Sequence, residues 1–232
     1  MEGDNIMKNY ILYILCFIIY SCDSNTTVES GELKLPNDIR WVTNSSEYHI
    51  LCEQIYENAW NSLSEILKTA DSQSVIIMDL DETVLDNSKY QIDLTEKGES
   101  YNPESWSIWV NQKEADLVPG AKKFIDRVRT TNVRIVFLSN RMAKNELPTI
   151  ANMEALSIYE KDDIFMLRLD RPDKKHIRRA EVINGTGRIK AIGPLSVLAY
   201  FGDARHDFPD PSTNYIFGKN MFMFPNPMYG KW

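Results

Sequence analysis

The sequence has few cysteines, few histidines, no long apolar run and no excess of positive charge. Three cysteines in 232 residues are too few for the disulfide framework of a small stapled protein. The three histidines are scattered, and neither they nor the cysteines show the spacing of a zinc site. A formal net charge of -7 disfavours proteins that bind nucleic acid through a positive surface. With 43% hydrophobic residues the chain can bury a core, and we expect one domain with an elaboration.

The main apolar run, residues 10–20, lies near the start of the chain. It is too short to cross a bilayer as a helix, which takes about 20 residues. Its length and the preceding Lys8 are typical of a secretory signal, which is predicted to comprise residues 1–21. Translation from Met7 would place this lysine nearer the start than translation from Met1, and both starts stay open.

The end of this run contains Ile19-Tyr20-Ser21-Cys22 and resembles the lipobox of bacterial lipoproteins, although Tyr20 departs from the small residue preferred there. The resemblance implies lipidation of Cys22, export from the cytoplasm, and membrane anchoring at the outer membrane or the periplasmic face. Several acyl chains together anchor a protein stably. An ordinary signal peptide and a buried helix with an incidental cysteine are the alternatives. Residues 22–38 are polar without apolar periodicity and are expected to form a flexible tether.

Between residues 47 and 68, apolar residues recur at helical spacing and predict an amphipathic helix. Its predicted apolar stripe is Leu51, Ile55, Ala59, Leu63, Ile66 and Leu67. Cys52 lies beside the stripe and is expected to be a small buried residue.

The rest of the chain alternates between apolar runs and helical patterns. The predicted strands are residues 74–81, 133–140, 163–169 and 196–203, and the predicted helices between them are residues 121–130, 143–156 and 175–183. Apolar strands that alternate with helices indicate an α/β fold, a Rossmann-like parallel sheet flanked by helices.

Three of the predicted strands end in polar positions. These are Asp79 and Asp81, Ser139 and Asn140, and Gly202 and Asp203. In parallel sheets, ligands bind at the carboxyl ends of the strands. The carboxylates of Asp79, Asp81 and Asp203 would repel one another there unless a cation lay among them. Because oxygen ligands favour hard cations, the pattern predicts a Mg²⁺ site.

Four motifs occur in a fixed order along these strand ends. DxDxT is matched by residues 79–83, a serine after the next apolar strand by Ser139, a lysine opening a helix within residues 171–179, and GDxxxD by residues 202–207. The set resembles the haloacid dehalogenase (HAD) superfamily of phosphohydrolases. That resemblance implies the HAD fold, in which a small, mainly helical cap accompanies the parallel sheet.

Longer motifs narrow the resemblance. They are WxxxSxEY at residues 41–48, DLDETVLDNSxY at 79–90, WxxW at 106–109, VPGA at 118–121 and PNPMYGKW at 225–232. Together they resemble the class C acid phosphatases, also known as the outer-membrane lipoprotein 5'-nucleotidase family, over residues 41–232.

The resemblance also implies a division of the chain into a core and a cap. Residues 74–85 and 119–232 would form the phosphatase core. Residues 39–73 would form the N-terminal helical part of the cap, and residues 86–118 would form an insertion that completes it.

The roles of the acidic residues follow from the same resemblance. Asp79 would be the nucleophile that forms an aspartyl-phosphate. Asp81 would first protonate the leaving oxygen and then activate water. The carboxylates of Asp79 and Asp203, with the backbone carbonyl of Asp81, would hold Mg²⁺.

The resemblance assigns Ser139, Asn140 and a lysine to binding phosphate oxygens. Lys175 is the expected lysine because it begins the KxxRR spacing, and Lys174 is the alternative. Asp207 would orient the lysine or a water molecule rather than bind the metal.

Trp106 and Tyr229 match the aromatic residues between which the family stacks a nucleobase, while Trp109 is expected to pack in the core of the cap. The resemblance implies a Mg²⁺-dependent acid phosphatase or 5'-nucleotidase acting on nucleoside monophosphates and similar small phosphomonoesters, not on nucleic acid polymers. The alternatives are a phosphotransferase and a non-catalytic surface lipoprotein that binds haem or a nucleotide. The presence of Asp79, Asp81, Ser139 and Asp203 favours an enzyme.

Overall fold

The computed structural model of the protein describes residues 34–230. The predicted signal peptide, the lipidation at Cys22 and most of the predicted tether lie outside these residues and stay predictions. In chain order the elements are α1 Asn37–Asn44, α2 Ser46–Thr69, β1 Ser74–Met78, β2 Leu85–Asp86, α3 Ser88–Lys97, α4 Pro103–Gln112, β3 Asp116–Leu117, α5 Ala121–Val128, β4 Arg134–Phe137, α6 Glu146–Ala155, β5 Ile164–Phe165, α7 Lys175–Asn184, β6 Ser196–Gly202 and β7 Met221–Met223.

Five strands form one parallel sheet in the order β5-β4-β1-β6-β7. This places β1 in the centre, with the earlier strands on one side and the later strands on the other. The point where the strand order reverses, beside β1, is where α/β sheets of this type bind ligands. The predicted Rossmann-like α/β fold is therefore confirmed. β7 was not predicted, and β5 is shorter than the predicted strand.

Side chains of the central strand alternate between the two faces of the sheet, as the period of two requires. Ile76 and Met78 lie in a core cluster that also contains residues of α2, α5 and α6. Val75 and Ile77 lie in a second cluster with Val182 of α7. All five residues of β1 are buried, because helices cover both faces.

Ser45 is the N-cap of helix α2. The Ser45 hydroxyl accepts a hydrogen bond from the Tyr48 backbone N–H at 3.1 Å, which satisfies one free donor of the first turn. The buried residues of α2 are Tyr48, Cys52, Tyr56, Ala59, Leu63 and Leu67. The prediction for Cys52 is confirmed, but Leu51 and Ile66 of the predicted stripe are exposed. The buried face of α2 includes Tyr48 and Tyr56, so it is rotated around the helix relative to the predicted stripe.

Helix α2 also covers one face of the sheet, a position that its prediction as a cap helix did not include. The Tyr56 ring lies 4.6 Å from that of Phe224 and 5.3 Å from that of Phe124. Helix α1 starts within the predicted tether, so the predicted boundary at residue 38 is two residues too late. Its packing rests on two buried residues, Ile39 and Val42, a pattern too short to reveal a helix.

The segment between β1 and α5 contains α3, α4 and a small antiparallel pair, in which Leu85 of β2 faces Leu117 of β3. Helix α4 starts at Pro103 after Asn102, whose side chain accepts hydrogen bonds from two backbone N–H groups. Within residues 34–230, no helix is both long and apolar enough to cross a membrane.

Candidate active site

Three carboxylates and one lysine meet at the carboxyl end of the central strands. Asp79 follows β1, Asp203 follows β6, Asp207 lies in a short turn after β6, and Lys175 is the first residue of α7. Carboxylate oxygens of the three aspartates lie within 4.8 Å of one another. The Lys175 Nζ is 2.7 Å from Asp79 Oδ1 and 2.5 Å from Asp207 Oδ1. Lys174, the alternative, is exposed.

Burial and like charge shape the electrostatics of this cluster. Burial raises the pKa of Asp79 well above its ordinary value. The charge of Lys175 opposes this rise, and the like charges of Asp207 and Asp203 add to it. Burial and the nearby Asp207 raise the pKa of Asp203 to about 7. Burial alone would lower the pKa of Lys175, but the carboxylates of Asp207 and Asp79 more than offset this and raise it. The lysine is therefore charged.

The cluster fits a divalent cation. Its donors are carboxylate oxygens, the ligands preferred by Mg²⁺ and similar ions. Three aspartates exceed the charge of the single lysine by two if all are ionised. The pKa values of Asp79 and Asp203 are raised first by burial and then by the neighbouring carboxylates, and a cation among them would favour their ionised forms.

The GDxxxD motif has a steric basis in this structure. A Cβ on Gly202 would lie 2.3 Å from the Cβ of Asp207, so no larger residue fits beside that aspartate. The Asp207 side chain accepts a hydrogen bond from Ala204 N–H at 2.8 Å through Oδ2 and pairs with Lys175 through Oδ1. Both oxygens of Asp207 are therefore engaged within the protein, and its expected role in orienting the lysine stays a prediction.

Asp81 faces a different set of partners from Asp79. Its Oδ1 accepts hydrogen bonds from Arg141 Nε at 2.9 Å and from Asn87 Nδ2 at 3.0 Å, and Arg141 Nη2 lies 2.8 Å away. Its Oδ2 lies 3.4 Å from the hydroxyl of Ser139. The prediction included neither Arg141 nor Asn87 among the site residues, although Asn87 stands in the motif at residues 79–90 and Arg141 follows Ser139 by two residues. The polar surroundings of two carboxylates only two residues apart thus differ.

The turn after Asp81 is held from several sides. Glu82 adopts a φ of 56°, a left-handed conformation that is uncommon for a residue other than glycine. Its backbone N–H bonds to the Leu85 carbonyl at 2.8 Å, and its buried carboxyl accepts from Asn87 N–H at 2.9 Å. From α2, the Tyr56 hydroxyl donates to the Thr83 carbonyl at 2.5 Å. Burial and the neighbouring Asp81 raise the pKa of Glu82 well above its ordinary value.

The strand end after β4 is anchored by a buried arginine of α7. Arg178 donates to the carbonyl oxygens of Ser139 and Met166 and, at 2.7 Å, to the side-chain oxygen of Asn140. The amide nitrogen of Asn140 lies 3.1 Å from Nε2 of His206. The spacing KxxRR therefore places Lys175 among the carboxylates and Arg178 beneath the Ser139-Asn140 corner.

Trp106 and Tyr229 are the two aromatic residues predicted to contact substrate. The partly exposed ring of Trp106 contacts Tyr90 at 5.1 Å and Tyr101 at 6.3 Å, and the guanidinium of Arg141 lies 5.7 Å from it. In the part of the chain that the structure describes, its ring contacts do not include Tyr229.

The C-terminal segment reaches the carboxylates through an asparagine. Asn226 donates to Asp203 Oδ2 at 2.8 Å, while its side-chain oxygen accepts from the backbone N–H groups of Met228 and Tyr229. Asn226 belongs to the closing PNPMYGKW motif, but its contact with Asp203, which joins the ends of the neighbouring strands β6 and β7, was not predicted.

A sequence model of the HAD superfamily, subfamily IIIB (acid phosphatase), matches residues 22–232. The chain belongs to this family. It is similar to the solved structure of the class C acid phosphatase from Bacillus anthracis, with a TM-score of 0.69 and 28% identity over 83% of this chain and 84% of that chain. The structure of the Bacillus anthracis enzyme with tungstate bound gives a TM-score of 0.68 and 27% identity over the same shares.

These similarities confirm the expected HAD, class C acid phosphatase resemblance. The chain is a phosphatase, a hydrolase of phosphoric monoesters, and the non-catalytic alternative falls away. The strand-end carboxylates described above are the candidate centre of that activity.

Proposed function

We propose that the protein is a Mg²⁺-dependent acid phosphatase that hydrolyses 5'-nucleotides and similar small phosphomonoesters through an aspartyl-phosphate on Asp79. The proposal rests on one observation: Asp79 ends the central strand with its carboxylate paired to the buried Lys175 at 2.7 Å, while Asp81 lies among other donors. This difference supports a mechanism in which Asp79 reacts with phosphorus and Asp81 moves a proton.

In the first step Asp79 attacks phosphorus, an oxygen–phosphorus bond to its carboxylate forms, and the bond from phosphorus to the ester oxygen breaks. Asp81 gives its proton to that leaving oxygen. In the second step Asp81, now ionised, takes a proton from water, whose oxygen attacks phosphorus and frees the Asp79 carboxylate. Atoms balance as one water consumed for each alcohol and phosphate released.

Lys175, Ser139 and Asn140 would bind the phosphate oxygens and lower the cost of the charge in the transition state. Mg²⁺, when bound by the Asp79 and Asp203 carboxylates and the Asp81 carbonyl, would supply positive charge beside the phosphoryl group. The similar Bacillus anthracis enzyme has been solved with tungstate bound. Because tungstate is an oxyanion of phosphate shape, this supports an oxyanion site in the present chain.

A nucleotide substrate is supported by the position of Trp106. Its ring lies beside Arg141, which in turn contacts the proposed acid Asp81. A base stacked on that ring would lie next to the reacting centre, and aromatic faces accept any base. Tyr229 is proposed as the second aromatic residue that contacts the base. Its backbone N–H bonds to the Asn226 side chain, which in turn bonds to Asp203.

Export and anchoring complete the proposal. Residues 1–21 would be removed as a signal, and lipidated Cys22 would anchor the enzyme on a membrane outside the cytoplasm.

The test measures phosphate release from 5'-nucleotides, 3'-nucleotides, nicotinamide mononucleotide and sugar phosphates, with and without a chelator. We expect 5'-nucleotides to be preferred and activity to require the divalent ion. Asp79→Asn should lose turnover by about a thousandfold or more because no nucleophile remains. Asp126→Asn, on the exposed face of α5, is the matched control that should behave as wild type.

Rapid acid quench with phosphorus-labelled substrate should leave alkali-labile label on the wild-type chain and none on Asp79→Asn. Turnover retained in Asp79→Asn would refute the mechanism. Indifference to the chelator would refute the metal requirement, and equal rates on sugar phosphates would refute the nucleotide preference.

A further inference from the structure

Asn87 connects the cap insertion to the proposed acid Asp81. It is fully buried, and its side-chain oxygen accepts a hydrogen bond from Trp109 Nε1 at 2.9 Å and another from Arg141 Nη2 at 3.2 Å. Its side-chain nitrogen donates to Asp81 Oδ1 at 3.0 Å and to the Leu85 carbonyl at 3.2 Å. All four polar contacts of the amide are therefore used.

The orientation of this amide is dictated by its neighbours. An indole N–H and a guanidinium are donors only, so they require the oxygen of Asn87 to face them. A flipped amide would set its NH₂ group against two donors, inside a buried site where unpaired donors are costly. The nitrogen of Asn87 must therefore point toward Asp81 and Leu85.

The consequence for Asp81 is that its two oxygens are not equivalent. Oδ1 faces the amide of Asn87 and two nitrogens of Arg141, all within 3.0 Å. Oδ2 has one longer contact, at 3.4 Å, with the hydroxyl of Ser139. A proton is disfavoured on the oxygen that already faces three donors.

We propose that Asn87, oriented by Trp109 and Arg141, is a positioning residue that reserves Oδ2 of Asp81 for proton transfer to the leaving oxygen. The inference rests on the proposed acid role of Asp81. In this proposal Trp109 does more than pack. Its indole N–H fixes the orientation of the Asn87 amide, and that amide fixes the orientation of the Asp81 carboxyl group.

Trp109→Phe is the sharpest test, because it removes the indole N–H and keeps an aromatic ring in the buried site. The phenyl ring is smaller than the indole, and the comparison of two leaving groups separates the lost N–H from this loss of packing. The assay compares phenyl phosphate, whose leaving group needs a proton, with 4-nitrophenyl phosphate, whose leaving group does not. We expect kcat for phenyl phosphate to fall about 10-fold and that for 4-nitrophenyl phosphate about twofold or less, with KM unchanged. Trp60→Phe, a half-buried tryptophan of α2 stacked on Arg127, is the matched control.

Asn87→Leu should lower kcat for phenyl phosphate selectively too, and by more than Trp109→Phe does. If Asn87→Leu does not fold, Trp109→Phe alone tests the inference. The Asp81→Asn background supplies the second readout. If Trp109 acts through Asp81, adding Trp109→Phe to Asp81→Asn should change either rate by less than about twofold, because coupled residues are not additive.

Equal losses for both aryl phosphates in Trp109→Phe, or a full loss that persists in the Asp81→Asn background, would overturn the inference while leaving the proposed acid intact. Asp81→Asn with no preference for the better leaving group would overturn the acid role itself, and the inference with it. A selective loss that vanishes in the double variant supports it.

Discussion

Replacing Gly202 with alanine should damage stability and activity together. Gly202 ends β6, and its backbone does not have a positive φ, so alanine brings no conformational penalty of that kind. The added Cβ would instead lie 2.3 Å from the Cβ of Asp207 and 2.4 Å from its Oδ2. Carbon atoms do not approach so closely, so Asp207 or the strand end must move by about 1 Å or more.

The magnitude follows from what Asp207 holds. Overpacking of a buried site costs about 1–3 kcal/mol. Displacement also weakens the 2.5 Å contact with Lys175 and the 2.8 Å bond from Ala204 N–H, and hydrogen bonds of charged groups contribute about 1.5–3 kcal/mol each. Since the two effects overlap, we expect the free energy of unfolding to fall by about 2–5 kcal/mol. If Lys175 binds phosphate as proposed, its displacement by about 1 Å should cost about 100-fold in turnover.

The assay pairs urea unfolding, followed by tryptophan fluorescence, with phosphate release. Gly98→Ala is the control, because Gly98 has a φ of 62° and open space around its Cβ position. That variant isolates the cost of a left-handed alanine, about 1–2 kcal/mol, without a clash and away from the carboxylates.

Two results would refute the steric reasoning. One is a Gly202→Ala midpoint in urea equal to that of wild type. The other is turnover above about a third of wild type, which would mean that Asp207 and Lys175 keep their places despite the added carbon.

Two more predictions concern the charges around Asp79. Lys175→Met should lower turnover at least about 100-fold, because it removes the charged donor beside Asp79. Lys174→Met, at the exposed neighbouring residue, should leave turnover unchanged. Phosphate release measures both variants, and equal effects would contradict the assignment of Lys175. In the presence of a chelator, the free energy of unfolding should fall as pH rises from about 4 to about 7, since the pKa of Asp203 is about 7 in the folded protein and near 4 when unfolded, so its proton is lost at a cost. Urea midpoints across this pH range measure the fall, which Asp203→Asn should reduce and Mg²⁺ should offset; a flat wild-type profile would contradict it.

The sequence predicted best those features that lie within a few residues of one another. Apolar runs followed by polar residues revealed β1, β4 and β6, and thus the strand ends at Asp79 and Asp203. The resemblance to a family with the KxxRR spacing favoured Lys175 over Lys174, and Lys175 is the one that lies at the cluster.

Contacts between distant segments could not be predicted in this way. The bonds from Arg141 to Asp81, and from Asn226 to Asp203, depend on how loops from different strands meet. The apolar periodicity of the sequence does not predict contacts between loops. The short strand β7, three residues long, likewise owes its existence to pairing with β6 rather than to its own pattern.

In α2 the helix itself was predicted, but its buried face was not centred correctly. Leu51 is apolar yet exposed, whereas Tyr48 and Tyr56 are amphipathic yet buried. Tyr56 gains a partner for its hydroxyl in the Thr83 carbonyl, which lies 27 residues away along the chain. A polar tip that finds a buried partner reverses the ranking that hydrophobicity alone suggests.

The strand order has a consequence for how the molecule is made. The central strand β1 is synthesised first, but its neighbour β6 is among the last elements to leave the ribosome. Until then one edge of a fully buried, apolar strand lacks its partner, which makes an incomplete chain prone to aggregation. Asp79 likewise meets Lys175 and Asp203 only after those residues have been synthesised. Under the proposed mechanism, a nascent chain therefore gains phosphatase activity only after β6 has been translated.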